Sequence, residues 1–234
     1  MKRRDFLLVS MIAGGTSAIW VPPAPAETQD DVDAPSIPPP KYAKVLFDGS
    51  SLAGWLARKG GPAAWKVQDG YMEVVPGTGD IFTKDVFGDH QIHVEFWLPL
   101  MAAAKGQARA NSGVYVHRMY EVQVLDSYGL EPKYDDCGAI YEVAPPLRNA
   151  CKKPERWQAY DIAFRAPRFD STDQLKEKAR MTVFHNGILI HHGQEIPGST
   201  RAFMETERTK PAPLLLQDHG NRVRYRNIWV IPTP

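Results

Sequence analysis

Two neighbouring stretches carry residue types suited to chemistry on a polar organic molecule: Asn111-Ser112-Gly113-Val114-Tyr115-Val116-His117 and Glu121-Val122-Gln123-Val124-Leu125-Asp126. Both alternate apolar and polar side chains with period two, the mark of a strand with one face in a core. Val114, Val116, Val122 and Val124 then point inward, and Tyr115, His117, Glu121 and Gln123 share the other face. An ordinary solvent-facing strand carries Lys, Thr and Ser there. A phenol, an imidazole, a carboxylate and an amide instead offer the means to hold and react with a ligand such as a sugar. Further along, Gln217-Asp218-His219-Gly220 adds a second imidazole. His219 has the parity of Leu215 and Gln217, so it faces the same groove if the strand runs that far. The alternative is a turn, with Asp218 bonding its own backbone and Gly220 at positive φ.

The elements that must position these groups are short strands separated by Gly, Pro and Asp clusters. Val45 to Phe47, Trp65 to Val67, Tyr71 to Val75, Ile81 to Thr83 and Gln91 to Leu98 precede the two stretches. Ala159 to Arg165, Arg180 to His185, Leu214 to Gln217 and Val223 to Ile231 follow them, and Asn186-Gly187 between apolar runs is a strong hairpin signal. Phe169 to Lys178 reads as loop, and Gln194 to Pro213 as a long excursion covering one end of a sheet. Helical periodicity is almost absent. Short strands at this spacing predict an all-β, antiparallel two-sheet jelly-roll sandwich.

The organisation is a leader, a tether and one domain. Residues 1–26 read as an export signal: Lys2-Arg3-Arg4-Asp5-Phe6-Leu7 is twin-arginine-like, an interrupted apolar run follows, and Ala24-Pro25-Ala26 supplies the cleavage pattern. The run is shorter than the roughly 20 apolar residues of a membrane span, so the mature chain is expected to be periplasmic or extracellular. Residues 27–41, rich in Asp and Pro, read as an extended linker. Residues 42–234 are long enough for one β domain with a sizeable core. Without the three basic and one acidic residue of the leader, the formal net charge falls from +1 to −1. Lys and Arg are scattered, which argues against a nucleic-acid partner. Cys137 and Cys151 are the two cysteines. In an oxidising compartment they are expected to pair, closing a loop worth roughly 3 kcal/mol on the chain-entropy account, with two buried free thiols as the alternative.

Read in order, the short words of this chain resemble the 3-keto-disaccharide hydrolase-like domains, long labelled a domain of unknown function and built as concanavalin A-like jelly rolls of lectin and glucanase type. Leu46-Phe47-Asp48-Gly49 with Gly54-Trp55 opens the series, followed by Trp65-Lys66-Val67, Asp69-Gly70, Thr83-Lys84 and Phe87-Gly88-Asp89. Asn111-Ser112-Gly113-Val114-Tyr115, Glu121 to Asp126, Gly138-Ala139-Ile140-Tyr141, Asn149-Ala150, Gln217-Asp218-His219-Gly220 and Arg226-Asn227-Ile228-Trp229 complete it. The chain departs from the family at Trp97-Leu98-Pro99, where an arginine often follows the strand aromatic.

The resemblance implies cleavage of glycosides already oxidised to a ketone at C3. The C2 proton beside the ketone is removed, the C1 substituent is eliminated, and water adds; a bound divalent cation would stabilise the enolate. Glu121 is the first candidate for base or metal ligand, with His219 and His117 next, and Asp126 is the candidate acid. Lys84, Asn111, Tyr115, Arg118, Gln123, Tyr141 and Gln217 are candidate substrate contacts, and a separate sugar oxidoreductase would supply the ketone. Two rival readings stand beside this one. Glu121 and Asp126 could attack the glycosidic bond directly as a carboxylate pair across a bulged strand, or the face could bind carbohydrate without reacting.

Overall fold

The computed structural model describes residues 31–204 and 207–233. The expected export signal lies outside the described residues. Among these, fifteen strands follow one another: β1 (Lys44–Phe47), β2 (Trp55–Ala57), β3 (Lys66–Gln68), β4 (Tyr71–Glu73), β5 (Ile81–Thr83), β6 (His90–Trp97), β7 (Ser112–Val116), β8 (Tyr120–Val124), β9 (Trp157–Arg165), β10 (Arg168–Phe169), β11 (Leu175–Glu177), β12 (Ala179–His185), β13 (Ile188–Ile196), β14 (Leu215–Leu216) and β15 (Arg224–Pro232). A larger sheet runs β13-β12-β9-β6-β15-β4-β3, with β1 also on β15, and a smaller one runs β2-β5-β14-β7-β8. The jelly-roll expectation holds. No helix among the described residues is long and apolar enough to cross a membrane.

The period-two pattern decides which side of each strand enters the core. Ile92, Val94 and Phe96 of the larger sheet and Val114, Val116, Val122 and Val124 of the smaller one belong to a single buried cluster. Asn186 and Gly187, at φ 53° and 77°, make the tight turn between β12 and β13 that their sequence signals. Phe169 to Lys178, read as loop, contains the small β10–β11 hairpin.

The segment read as a tether is part of the fold from Asp33 to Ile37. Ala34 N–H donates to the Trp157 carbonyl, and Trp157 N–H donates to Asp33 Oδ1, each at 2.8 Å. Ser36 Oγ donates to Glu95 Oε1 at 2.5 Å, and Asn227 Nδ2 donates to the Ile37 carbonyl at 2.8 Å. The strap therefore roofs Glu95, whose carboxylate also accepts Arg226 Nε at 2.6 Å and Asn227 Nδ2 at 2.7 Å. Composition alone misses this because the docking depends on a few polar side chains rather than on apolar ones. Burial pushes the Glu95 pKa up, and hydrogen bonds from His93, Asn227, Ser36 and Arg226 outweigh it and hold the group at about 2.

A carboxyl whose folded pKa is depressed contributes stability above its unfolded pKa and loses it as pH falls through the folded one. Glu95→Gln should therefore destabilise the protein by about 3 kcal/mol at pH 7, the scale for breaking a buried charge pair. In urea titrations the gap between wild type and variant should close as pH drops from 4.5 toward 2. A gap that does not change with pH would show that Glu95 is not ionised beneath the strap.

Candidate active site

The register of the smaller sheet sets the site. Phe82, Leu215, Tyr115 and Glu121 stand opposite one another across four strands. One step along the same face, Gln217 N–H bonds the Gly113 carbonyl and Gly113 stands opposite Gln123. Alternate residues Ile81, Leu216, Val114 and Val122 are in the core, so Glu121 and Gln123 lie on the outer side of the sandwich. Yet Glu121 is only 3% exposed and Gln123 1%. What removes water from this face is a ring of loops.

Residues 138–141 extend the sheet beyond β8: Gln123 N–H donates to the Ala139 carbonyl at 2.9 Å and Tyr141 N–H to the Glu121 carbonyl at 3.1 Å. This brings Tyr141 beside Glu121. The expected disulfide is not what pins the segment. Cys137 and Cys151 are free, buried thiols, and Cys137 Sγ rests 3.2 Å from the Tyr160 hydroxyl. The backbone ladder along β8 supplies the restraint assigned to a crosslink. On the opposite wall Thr200 Oγ1 accepts Glu121 N–H at 3.0 Å, and the Arg201 carbonyl accepts the Tyr115 hydroxyl at 3.1 Å. Arg58 holds that wall through the carbonyls of Ala202 and Phe203 and pairs with Asp80 at 2.6 Å. Asp80 in turn accepts Asp218 N–H at 2.9 Å. The Asp218 carboxylate caps Gly77 and Gly79 at 2.8 and 2.9 Å and its own turn at Gly220 N–H, where φ is 83°. The turn reading of this segment is correct, and the turn presents His219, exposed, at the mouth.

Between these walls is a cavity of about 320 Å³. Of the residues singled out from sequence, Glu121, His219, Asn111, Tyr115, Gln123, Tyr141 and Gln217 line it. Gln107, Arg201 and Ala202 line it too and carried no sequence signal beyond lying in polar excursions. Tyr115 donates to Glu121 Oε2 at 2.7 Å and accepts Gln217 Nε2 at 3.2 Å. Gln123 Nε2 donates to Gln107 Oε1 at 3.0 Å and to the Asp135 carbonyl at 3.3 Å, which fixes the orientation of its amide. Gln123 Oε1 and Gln217 Oε1 are then buried acceptors without a hydrogen-bond partner among the described residues. Buried polar atoms are seldom left so.

Four candidates lie elsewhere. His117 and Arg118 adopt φ 54° and 56°, with Met119 N–H closing onto the Val116 carbonyl, so they form the hairpin turn and leave the strand's alternation. The His117 ring packs against Phe164 at 4.6 Å and His90 at 6.0 Å, lining a different cavity with Asp89 and Arg168. The Arg118 guanidinium sits 5.1 Å from the Phe82 ring centre. Lys84 is exposed and does not line the cleft. Strand β8 ends at Val124 without a bulge, and Asp126 is instead buried against Arg109 at 2.7 Å. The carboxylate pair expected of Glu121 and Asp126 does not form. Nor does the metal set of Glu121, His117 and His219: among the described residues no three His, Cys, Asp or Glu side chains converge to hold an ion. The donors present do not fit a resident metal, because among the described residues Glu121 and His219 share the cleft without a third such ligand.

Among the described residues, Glu121 is therefore the one carboxyl that lines the cavity. Burial raises its pKa, the Tyr115 hydrogen bond lowers it, and the charges of Asp80 and Glu142 raise it again, to about 8. Burial first, then the adjacent Glu121 charge, pushes the Tyr115 phenol far above its ordinary value, so it stays a neutral donor.

Residues 42–231 match the family described as the 3-keto-alpha-glucoside-1,2-lyase-like domain. A crystal structure of a candidate glycosyl hydrolase from Parabacteroides distasonis is similar at 34% identity and TM-score 0.76, covering 97% of this chain and 100% of that one. A second such protein from the same organism shares the fold at 19% identity and TM-score 0.60, over 82% of this chain and 94% of its own. No curated protein matches this sequence.

The electrostatic account is testable at Asp80. Asp80→Asn removes a like charge and leaves Arg58 unbalanced, so the Glu121 pKa should fall below about 8. Carbon NMR of labelled Glu carboxyls in the two proteins reads this directly, and an unchanged midpoint would mean that Asp80 has no electrostatic hold on the site.

Proposed function

This chain belongs to the 3-keto-alpha-glucoside-1,2-lyase-like family, and from that premise we propose that the cleft cleaves glycosides already oxidised at C3, with Glu121 as the base. The observation that carries the proposal is the buried Glu121 carboxyl, the one such group lining the cavity among the described residues. Direct hydrolysis requires two carboxyl groups flanking one glycosidic bond, whereas removal of a ketone-acidified proton requires one base of suitable pKa and polar groups for the enolate.

Glu121 takes the C2 proton. The electron pair of that bond becomes the enolate and then expels the C1 oxygen, which leaves with a proton taken from water at the mouth, where His219 lines the cavity. The enone released, or water added across it in a later step, gives the lyase or the net hydrolase outcome. Arg201 and Tyr141 face the oxygen on which charge develops, while the Gln123 and Gln217 side chains contact the sugar hydroxyls. The Tyr115 hydroxyl has a second acceptor in the Arg201 carbonyl, so protonation of Glu121 does not leave it stranded. The ketone must come from an oxidation at C3 by a separate sugar oxidoreductase, and the leader sequence suits an encounter outside the inner membrane.

Incubation with a disaccharide and with its 3-keto form discriminates the readings. The keto sugar should be cleaved and the parent left intact; cleavage of the parent would support direct hydrolysis, and binding of either without turnover a lectin-like role. Because the base must be ionised, kcat/KM should rise with pH and level off above about 8. Glu121→Gln should lose roughly 10²- to 10⁴-fold in kcat. The raised folded pKa also means that native stability declines as pH climbs from 4.5 to about 8, a decline that this variant should lack in thermal melts.

A further inference from the structure

We propose that Gly113 is a positioning residue for the catalytic carboxyl: the space left by its missing side chain is the seat in which Glu121 lies beside Tyr115. This rests on the reading of Glu121 as the base. Gly113 is in the middle of β7, paired to Gln123 on one side and to the Gln217 N–H on the other. It has no positive φ, so backbone conformation does not call for glycine there. A glycine inside a strand weakens it, and its presence marks a bulge, a bend or a close approach. No register shift interrupts the β7–β8 ladder. Close approach remains, and what approaches is this chain's own side chains. A Cβ built on Gly113 would lie 2.8 Å from Tyr115 Cε2, 3.0 Å from Glu121 Cδ and nearer still to Glu121 Oε1.

The geometry assigns the two carboxyl oxygens different surroundings. Oε2 accepts the Tyr115 hydroxyl at 2.7 Å, and Oε1 lies over Gly113. Glu121 stands opposite Tyr115, one step diagonal from Gly113, so its side chain reaches the seat by leaning along the strand. With a methyl group at 113 the strand cannot retreat, being hydrogen-bonded along both edges. The carboxyl must swing toward the open side of the cavity, or the Tyr115 ring must turn. Either movement separates base from phenol and brings water to the carboxyl.

The test is Gly113→Ala, read first without substrate. In carbon NMR of the labelled carboxyl, the Glu121 midpoint should move from about 8 toward the ordinary carboxylate range, with circular dichroism unchanged. On a 3-keto disaccharide, kcat should fall at least tenfold and KM stay within about threefold, because the sugar contacts of Gln123 and Gln217 remain. An unchanged midpoint together with wild-type kcat would overturn the proposal. If the wild type turns over no keto sugar, the functional reading fails while the titration still decides whether Gly113 seats the carboxyl. Should the single variant fold poorly, the drop in Tm caused by Gly113→Ala is compared in wild-type and Glu121→Ala backgrounds. A smaller drop without the Glu121 side chain supports the seat, and an equal drop refutes it.

Discussion

The Glu121 carboxyl is held out of water on the outside of a β-sheet, with one hydrogen bond from Tyr115 and two like charges nearby. Burying an ionisable group without a counter-charge is unfavourable, and the group answers by binding its proton more tightly. That single constraint explains the surroundings. The sheet offers the position through its register, while residues 138–141 and 200–203 remove solvent from it. Asp80 and Arg58 tie the second of these walls to the turn bearing His219, so the charge that raises Glu121 also braces the cavity. Three other buried carboxylates receive direct ionic partners: Glu95 has Arg226, Glu73 has Arg224, and Asp126 has Arg109. Glu121 is treated differently, and a raised pKa in a polar cavity is the state a general base needs near neutral pH.

On the proposed reading, one carboxyl in this cavity is enough. A glycoside without a ketone presents a poor leaving group and no acidic carbon-bound proton, so acid and nucleophile must both be supplied. A ketone at C3 moves the activation into the substrate. The protein then needs a base, donors toward the forming enolate, and acceptors for hydroxyl groups. In that reading the Gln123 and Gln217 side chains, which line the cavity, supply the last. Their amide groups are oriented by Gln107 and Tyr115.

Much of this was legible in the sequence where strand alternation governs. Val114, Val116, Val122 and Val124 announce an inward face, and Tyr115, Glu121 and Gln123 follow from it as outward groups. His117 does not, because two successive residues at positive φ turn the chain before the alternation reaches it. Asp126 fails for a related reason: β8 ends at Val124, and the carboxylate meets an arginine from another loop. Arg201 and Gln107 could not be found from periodicity, since loops have none. Nor could the docking of Asp33 to Ile37 onto the larger sheet, which depends on partners more than fifty residues away. Two cysteines in a chain read as exported suggest a crosslink, but the wall that it would brace is already secured by backbone pairing along β8.

Proton abstraction at C2 can be observed apart from bond cleavage. A 3-keto sugar lacking a leaving group at C1, incubated with the protein in heavy water, exchanges its C2 hydrogen for deuterium if a base on the protein removes it. Wild-type protein should catalyse that exchange, as followed by proton NMR, and Glu121→Gln should reduce it to the uncatalysed rate. Exchange that persists undiminished in the Gln variant, or that is absent from the wild type, would contradict the assignment of Glu121 as the base.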